Sequence, residues 1–149
     1  MRFIAIAATA TALFACGGEQ AASARGPHTG LAVDATQAAA PKPAKWTAYS
    51  KAAFAAAQAQ GRTILVDVHA DWCPTCKAQA PILEEIRRDA RSANTIFFRV
   101  DFDKDKAFLK EHRIPRQSTV LLFKGKKEVE RSIAETDRAR LRAAFLRKA

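Results

Sequence analysis

Cysteine and histidine are scarce in this chain, three of each among 149 residues. A structural zinc site asks for four ligands of these kinds, and a single Cys-x-x-Cys supplies two. No second pair accompanies it: Cys16 lies in an N-terminal apolar segment, and His69 and His112 form no paired motif. A dedicated zinc site is therefore not expected. Acidic residues are also few, 15 against 25 Lys and Arg, and the formal net charge is +10. Such an excess attracts anionic membranes or nucleic acid. The basic residues are scattered, however, with no aromatics interleaved among them to stack on bases, so the expectation is a solvated basic surface and no nucleic-acid partner. There is no internal repeat.

Nor is there an apolar run that would span a bilayer comfortably. MRFIAIAATATALFAC has one basic residue, an apolar stretch and small residues at its end, the layout of a secretory signal. Two cleavage sites compete. Leu13-Phe14-Ala15-Cys16 resembles a bacterial lipobox, in which Cys16 would carry lipid, although Phe14 is bulky where a small residue is usual. Ala22-Ser23-Ala24 offers a small-x-small site that would release a soluble protein. Either way the protein is expected outside the cytosol, in the periplasm, touching the membrane only through a lipid on Cys16. Residues 1–24 are thus read as signal. Residues 25–45, rich in Ala, Pro, Gly and Thr, suit a flexible linker, and 46–149 have room for one ordinary domain.

Within that domain, SKAAFAAAQAQ (Ser50 to Gln60) reads as a helix with Ser50 as N-cap and Gly61 beyond its end. TILVDVHA is a continuous apolar run of the kind a strand shows when both faces are buried. Pro74 to about Arg91 has helical periodicity, with Ile82, Leu83 and Ile86 on one stripe and a kink expected at Pro81. TIFFRVDF is a second strand, followed by a short helix from about Lys104 to His112. STVLLF and KEVERSI form a hairpin about Lys124-Gly125-Lys126, and a last helix runs from about Asp137. This order describes an α/β sheet covered on both faces.

The stretch ADWCPTCK places Cys73 and Cys76 where the buried strand gives way to a helix. A structural crosslink between residues three apart closes a tiny loop and constrains little of the unfolded chain. A redox pair explains the placement better. The partial positive charge and free N–H groups of a helix N-terminus favour a thiolate on Cys73, the expected nucleophile. Cys76, one turn deeper, is near enough to attack a mixed disulfide formed there.

ILVDVHADWCPTCKAQAPILEEI resembles the active-site segment of the thioredoxin family, with its strand aspartate, Trp before the first cysteine, Lys after the second and a proline five residues further. The similarity extends from about Trp46 to the C-terminus. KWTAYSKAAFAAAQAQGRTILVDVHADWC is particularly similar to the C-terminal periplasmic domain of the DsbD disulfide interchange proteins. The resemblance implies a thioredoxin-like α/β fold, a central mixed sheet of four to five strands flanked by helices. It also implies thiol–disulfide oxidoreductase activity, the reduction of protein disulfides with electrons from a membrane donor of DsbD type. No cofactor is implied, and a monomer is expected.

By position, Asp67 matches the family's buried aspartate, which assists proton transfer at the second cysteine. A carboxylate within ILVDV has little water, and its pKa should rise accordingly. The residues leave a second reading, in which Asp67 is satisfied by Arg99 on the adjacent strand. Trp72 either shields the thiols or simply packs, and His69 either modulates the thiols or fills the sheet end. One departure stands out. The family has a cis-proline immediately before the strand read here as TVLLF, but this chain has Gln117-Ser118 there and Pro115 three residues earlier. A non-proline cis bond costs about 3–4 kcal/mol, so a trans bond is expected, with Trp72, Gln117 and Ser118 as substrate-contacting residues. Loss of the ring would also let a soft ion such as copper approach both thiolates, which keeps a metal-binding or transfer module as the alternative.

Overall fold

A computed structural model describes residues 43–149; the signal, the Cys16 lipid site and all but the end of the linker lie outside the described residues. The chain forms strand β1 (Trp46–Ala48), helix α1 (Lys51–Ala59), β2 (Thr63–His69), α2 (Pro74–Arg88), a 3-10 turn (Ala90–Ser92), β3 (Thr95–Asp101), α3 (Lys106–Glu111), β4 (Thr119–Lys124), β5 (Lys127–Ile133) and α4 (Arg138–Leu146). The five strands make one mixed sheet in the order β1-β3-β2-β4-β5. β1, β3 and β2 run parallel, while β4 and β5 are antiparallel additions.

β2 is central, which explains its unbroken apolar run. Ile64, Val66 and Val68 join Phe54 of α1, Phe98, Phe108 of α3, Leu121 and Phe123 in one core. Leu65 points to the other face, with Ile82, Leu83 and Ile86 of α2, Phe97, and Leu141 and Phe145 of α4. Alternation along a strand places Asp67 and His69 on Leu65's face, the side that α2 covers.

Ser50 has extended backbone and its hydroxyl accepts the Ala53 N–H at 3.2 Å, the expected cap. Removing it with Ser50→Ala should cost about 1 kcal/mol, read as a lower urea midpoint with an unchanged slope. The helix stops before Gly61, whose φ of +68° suits a residue without Cβ. α2 continues through Pro81 as one helix but ends at Arg88, earlier than periodicity predicts. Asp89 then caps the 3-10 turn by accepting the Arg91 N–H. β1 has no counterpart in the sequence reading. Three residues are too few to show a period, and they become a strand by pairing with β3, where Trp46 stacks edge-on against Phe97 at 5.3 Å between centroids.

Candidate functional site

Cys73 is the N-cap of α2. Its backbone is extended, Pro74 occupies the first turn with the φ a helix requires, and the Cys76 N–H donates to Cys73 Sγ at 3.2 Å. The sulfur therefore stands where a side-chain oxygen stands in an ordinary cap, at the positive end of a fifteen-residue helix. Both cysteines are reduced and buried, with 1% and 2% of their surface exposed.

Ser118 lies opposite them, just before β4, and is fully buried. Its Oγ is 3.2 Å from Cys73 Sγ and 3.1 Å from Cys76 Sγ. The backbone that holds it is left-handed, with φ +61°, which costs an L-residue about 1–2 kcal/mol. Three hydrogen bonds keep it there: Ser118 N–H donates to the Val68 carbonyl at 2.9 Å, and its own carbonyl accepts from Ala134 N–H at 2.8 Å and Gln79 Nε2 at 3.3 Å. No cis peptide bond occurs among the described residues, so Gln117-Ser118 is trans. Gln117 is half-buried beside it.

The thiols are driven in opposite directions. Burial raises the Cys73 pKa, but hydrogen bonds from Ser118, from the Cys76 side chain and N–H, and from Gln117 outweigh it and bring the pKa down to about 7. Burial raises Cys76, and its hydrogen bond with Cys73 adds to the rise while Ser118 opposes it. At neutral pH the pair thus holds a substantial thiolate at Cys73 beside a protonated thiol at Cys76. Alkylation of the reduced protein should accordingly show a thiol titrating near pH 7, against about 8.5 for free cysteine, when the rate is followed from pH 5 to 10.

Asp67 is 2% exposed. The register of β2 and β3 sets it beside Arg99, whose Nε donates to Oδ2 at 3.1 Å. His69 Nδ1 lies 3.8 Å from the same oxygen, and His69 Nε2 is 3.4 Å from Asp71 Oδ1. Burial nevertheless wins over both cations and raises the carboxyl's pKa. The two readings of Asp67 therefore coexist: it is paired, and it still holds its proton more tightly than a solvated aspartate. Such a group opposes folding once the unfolded chain can ionise, from about pH 4 upward, with the full loss reached above the folded pKa. Asp67→Asn should stabilise the protein at pH 7 and lose that advantage below pH 4, as urea midpoints at the two pH values would show.

Arg99 continues outward over the Trp46 ring, 4.8 Å from its centroid, into a pocket of about 500 Å³ that His69, Trp72, Asp103 and Lys104 also line. Neither cysteine lines it. Trp72 is 58% exposed, and its indole N–H donates to Asp103 Oδ2 at 2.8 Å. It flanks the thiols as an open apolar surface rather than a packed core residue. Among the described residues no group of three or more His, Cys, Asp and Glu side chains could hold a metal ion.

Gln79 belongs to the site although sequence reasoning passed over it. It is fully buried and ties α2 to Ser118 and to the Glu135 carbonyl, at 2.8 Å for the latter, while its Oε1 has no partner. The signal was present: Gln79 falls on the stripe of Ile82, Leu83 and Ile86, and a polar residue on an apolar stripe needs a partner.

The thioredoxin family model matches residues 45–147. The chain belongs to the thioredoxin family. Thioredoxin of Chlamydia trachomatis is 34% identical over 75 residues, half of this chain and 72% of that protein. Thioredoxin-1 of Saccharomyces cerevisiae is 32% identical over 80 residues, covering 54% and 76% of the two. The bifunctional thioredoxin reductase/thioredoxin of Mycobacterium leprae is 33% identical over 88 residues; these are 59% of this chain and 19% of that much longer protein. Among solved structures, Trxlp from Edwardsiella tarda EIB202 superposes with a TM-score of 0.64 and 42% identity, over 66% of this chain and 96% of that one. Fold and relatives agree on a thioredoxin-like thiol–disulfide oxidoreductase.

Proposed function

We propose that the protein is an exported reductase of protein disulfides. The observation that carries this reading is the opposed tuning of two adjacent thiols at one helix N-terminus, Cys73 lowered to about 7 and Cys76 raised. Environments that push paired groups apart assign them different tasks. Cys73, as thiolate, attacks a substrate disulfide and forms a mixed disulfide. Cys76 then attacks Cys73 Sγ, and the second substrate sulfur leaves with the bonding electrons. Asp67, with its raised pKa, accepts the proton that Cys76 gives up. Trp72 and Gln117 border the thiols and contact the substrate chain.

Each cycle leaves the Cys73–Cys76 disulfide, so outside the cytosol a membrane electron donor of DsbD type must return the pair to the dithiol. The test is turnover: with dithiothreitol as electron source the protein should accelerate insulin reduction, seen as turbidity from the liberated chains. No acceleration, together with a copper ion retained through dialysis, would replace this reading with the metal-transfer one.

A further inference from the structure

The hydroxyl of Ser118 touches both reacting sulfurs, and a hydroxyl has one proton to give and two lone pairs to receive with. Cys73 is the thiol favoured as thiolate, and Cys76 the one that keeps its proton. Two arrangements fit these contacts: Cys76 Sγ–H donates straight to Cys73 Sγ, or it donates to Ser118 Oγ while Ser118 Oγ–H donates to Cys73 Sγ, and the second places the hydroxyl in the path between the sulfurs. We propose that Ser118 is a catalytic residue of the exchange, which stabilises the Cys73 thiolate and relays the Cys76 proton to the departing substrate sulfur when that sulfur is basic, the proton going to Asp67 when the leaving thiolate stays ionised. The proposal rests on the reading of Cys73 as attacking thiol and Cys76 as resolving thiol.

The relay balances. In the mixed disulfide, Cys73 Sγ is bonded to the substrate sulfur and Cys76 carries its proton. As Cys76 Sγ bonds to Cys73 Sγ, the bond from Cys73 to the substrate sulfur breaks, and its electron pair leaves with the substrate. The Cys76 proton passes to Ser118 Oγ, and the hydroxyl's own proton passes to the leaving sulfur beside Cys73. The products are the Cys73–Cys76 disulfide, a neutral substrate thiol and an unchanged serine. The protein pair is oxidised by two electrons and the substrate disulfide is reduced.

The surroundings support a placed group rather than an incidental contact. Ser118 is held in a left-handed conformation by hydrogen bonds from three directions: β2 through Val68, α2 through Gln79, and the segment after β5 through Ala134. Strain that persists because its neighbours enforce it is a mark of function. The charged groups packed at this end of the sheet have their own partners. Asp67 and His69 of β2 engage Arg99 of β3 and Asp71, and the Glu135 carboxylate accepts from Arg140. Ser118 is therefore the polar side chain that bridges the two sulfurs directly.

The experiment uses Ser118→Ala and Ser118→Gly in the full chain. Both lack the hydroxyl, but Gly accepts φ +61° without strain, so a loss shared by both belongs to the hydroxyl and a loss confined to Ala belongs to the backbone. Two readouts are taken on reduced protein. In the first, the pH midpoint of Cys73 alkylation should move up from about 7 toward the free-thiol value of about 8.5 in both variants. In the second, the resolving step is timed in single turnovers with two leaving groups: glutathione, a basic thiolate that needs a proton, and thionitrobenzoate, an acidic one that does not. Resolution should slow by about 10-fold or more with glutathione and less than about 2-fold with thionitrobenzoate, at the low end for proton transfer because Asp67 can also take the Cys76 proton. An unmoved alkylation midpoint, or equal slowing with both leaving groups, would overturn the proposal. Accumulation of a glutathione mixed disulfide in Cys76→Ser tests the underlying assignment separately. If none forms, the attacking and resolving roles fail; if it forms while the Ser118 variants behave as wild type, the relay alone fails.

Discussion

Cys73→Ser should abolish disulfide exchange, leaving substrate reduction at the uncatalysed level, whereas Cys76→Ser should attack once and stop as a mixed disulfide. The asymmetry follows from the helix cap. A serine hydroxyl at position 73 stays un-ionised near neutrality and cannot accept a bond from a disulfide sulfur, so neither the dipole of α2 nor the Ser118 contact has a thiolate to stabilise. At position 76 the same change preserves the nucleophile and its hydrogen bond from the 76 N–H, but removes the sulfur that must displace the substrate. Non-reducing mass spectrometry after incubation with a disulfide substrate distinguishes the two. Cys73→Ser should show no adduct, and Cys76→Ser a stoichiometric one that dithiothreitol removes. An adduct of equal yield on Cys73→Ser would transfer the nucleophile's role to Cys76.

Phe97→Ala should cost about 3–5 kcal/mol, a large share of the roughly 5–15 kcal/mol that separates a folded domain from its unfolded chain. Phe97 is fully buried in the middle of β3. It joins Leu65 of the adjacent β2 and Val120 of β4 beyond it to Leu83 of α2 and Leu141 of α4, and it supplies the surface against which Trp46 of the three-residue β1 packs. Truncation opens a cavity beneath the helix that carries Cys73, and it removes β1's main apolar contact. Urea unfolding should show the midpoint falling sharply. A change under about 1 kcal/mol would mean that the α2 side of the sheet can close over the missing ring.

The parts of this molecule that sequence made legible are those whose cause is local. The apolar run of β2, the Ser50 cap, the proline after Cys73 and the spacing of the cysteines each carry their own physics within a few residues. The pairing of Asp67 with Arg99 was visible as well, because adjacent parallel strands bring residues of matching register side by side. β1 was not visible, since three residues with mixed exposure become a strand only through their partner. Nor was the environment of Ser118. Its contacts with Cys76 and Cys73 span 42 and 45 residues of chain, and nothing in Arg116-Gln117-Ser118-Thr119 announces a left-handed residue. Ser118 is enclosed between the thiols, while Trp72 beside them stands exposed.

The reduction potential of the Cys73/Cys76 pair bears most directly on the proposed reductase. Equilibrating the protein with glutathione buffers of graded ratio and counting free thiols should place it low, near the value of about −270 mV for thioredoxin, so that the dithiol gives electrons to most disulfides it meets. A value toward the roughly −120 mV of DsbA, or a pair that never closes to a disulfide, would contradict it.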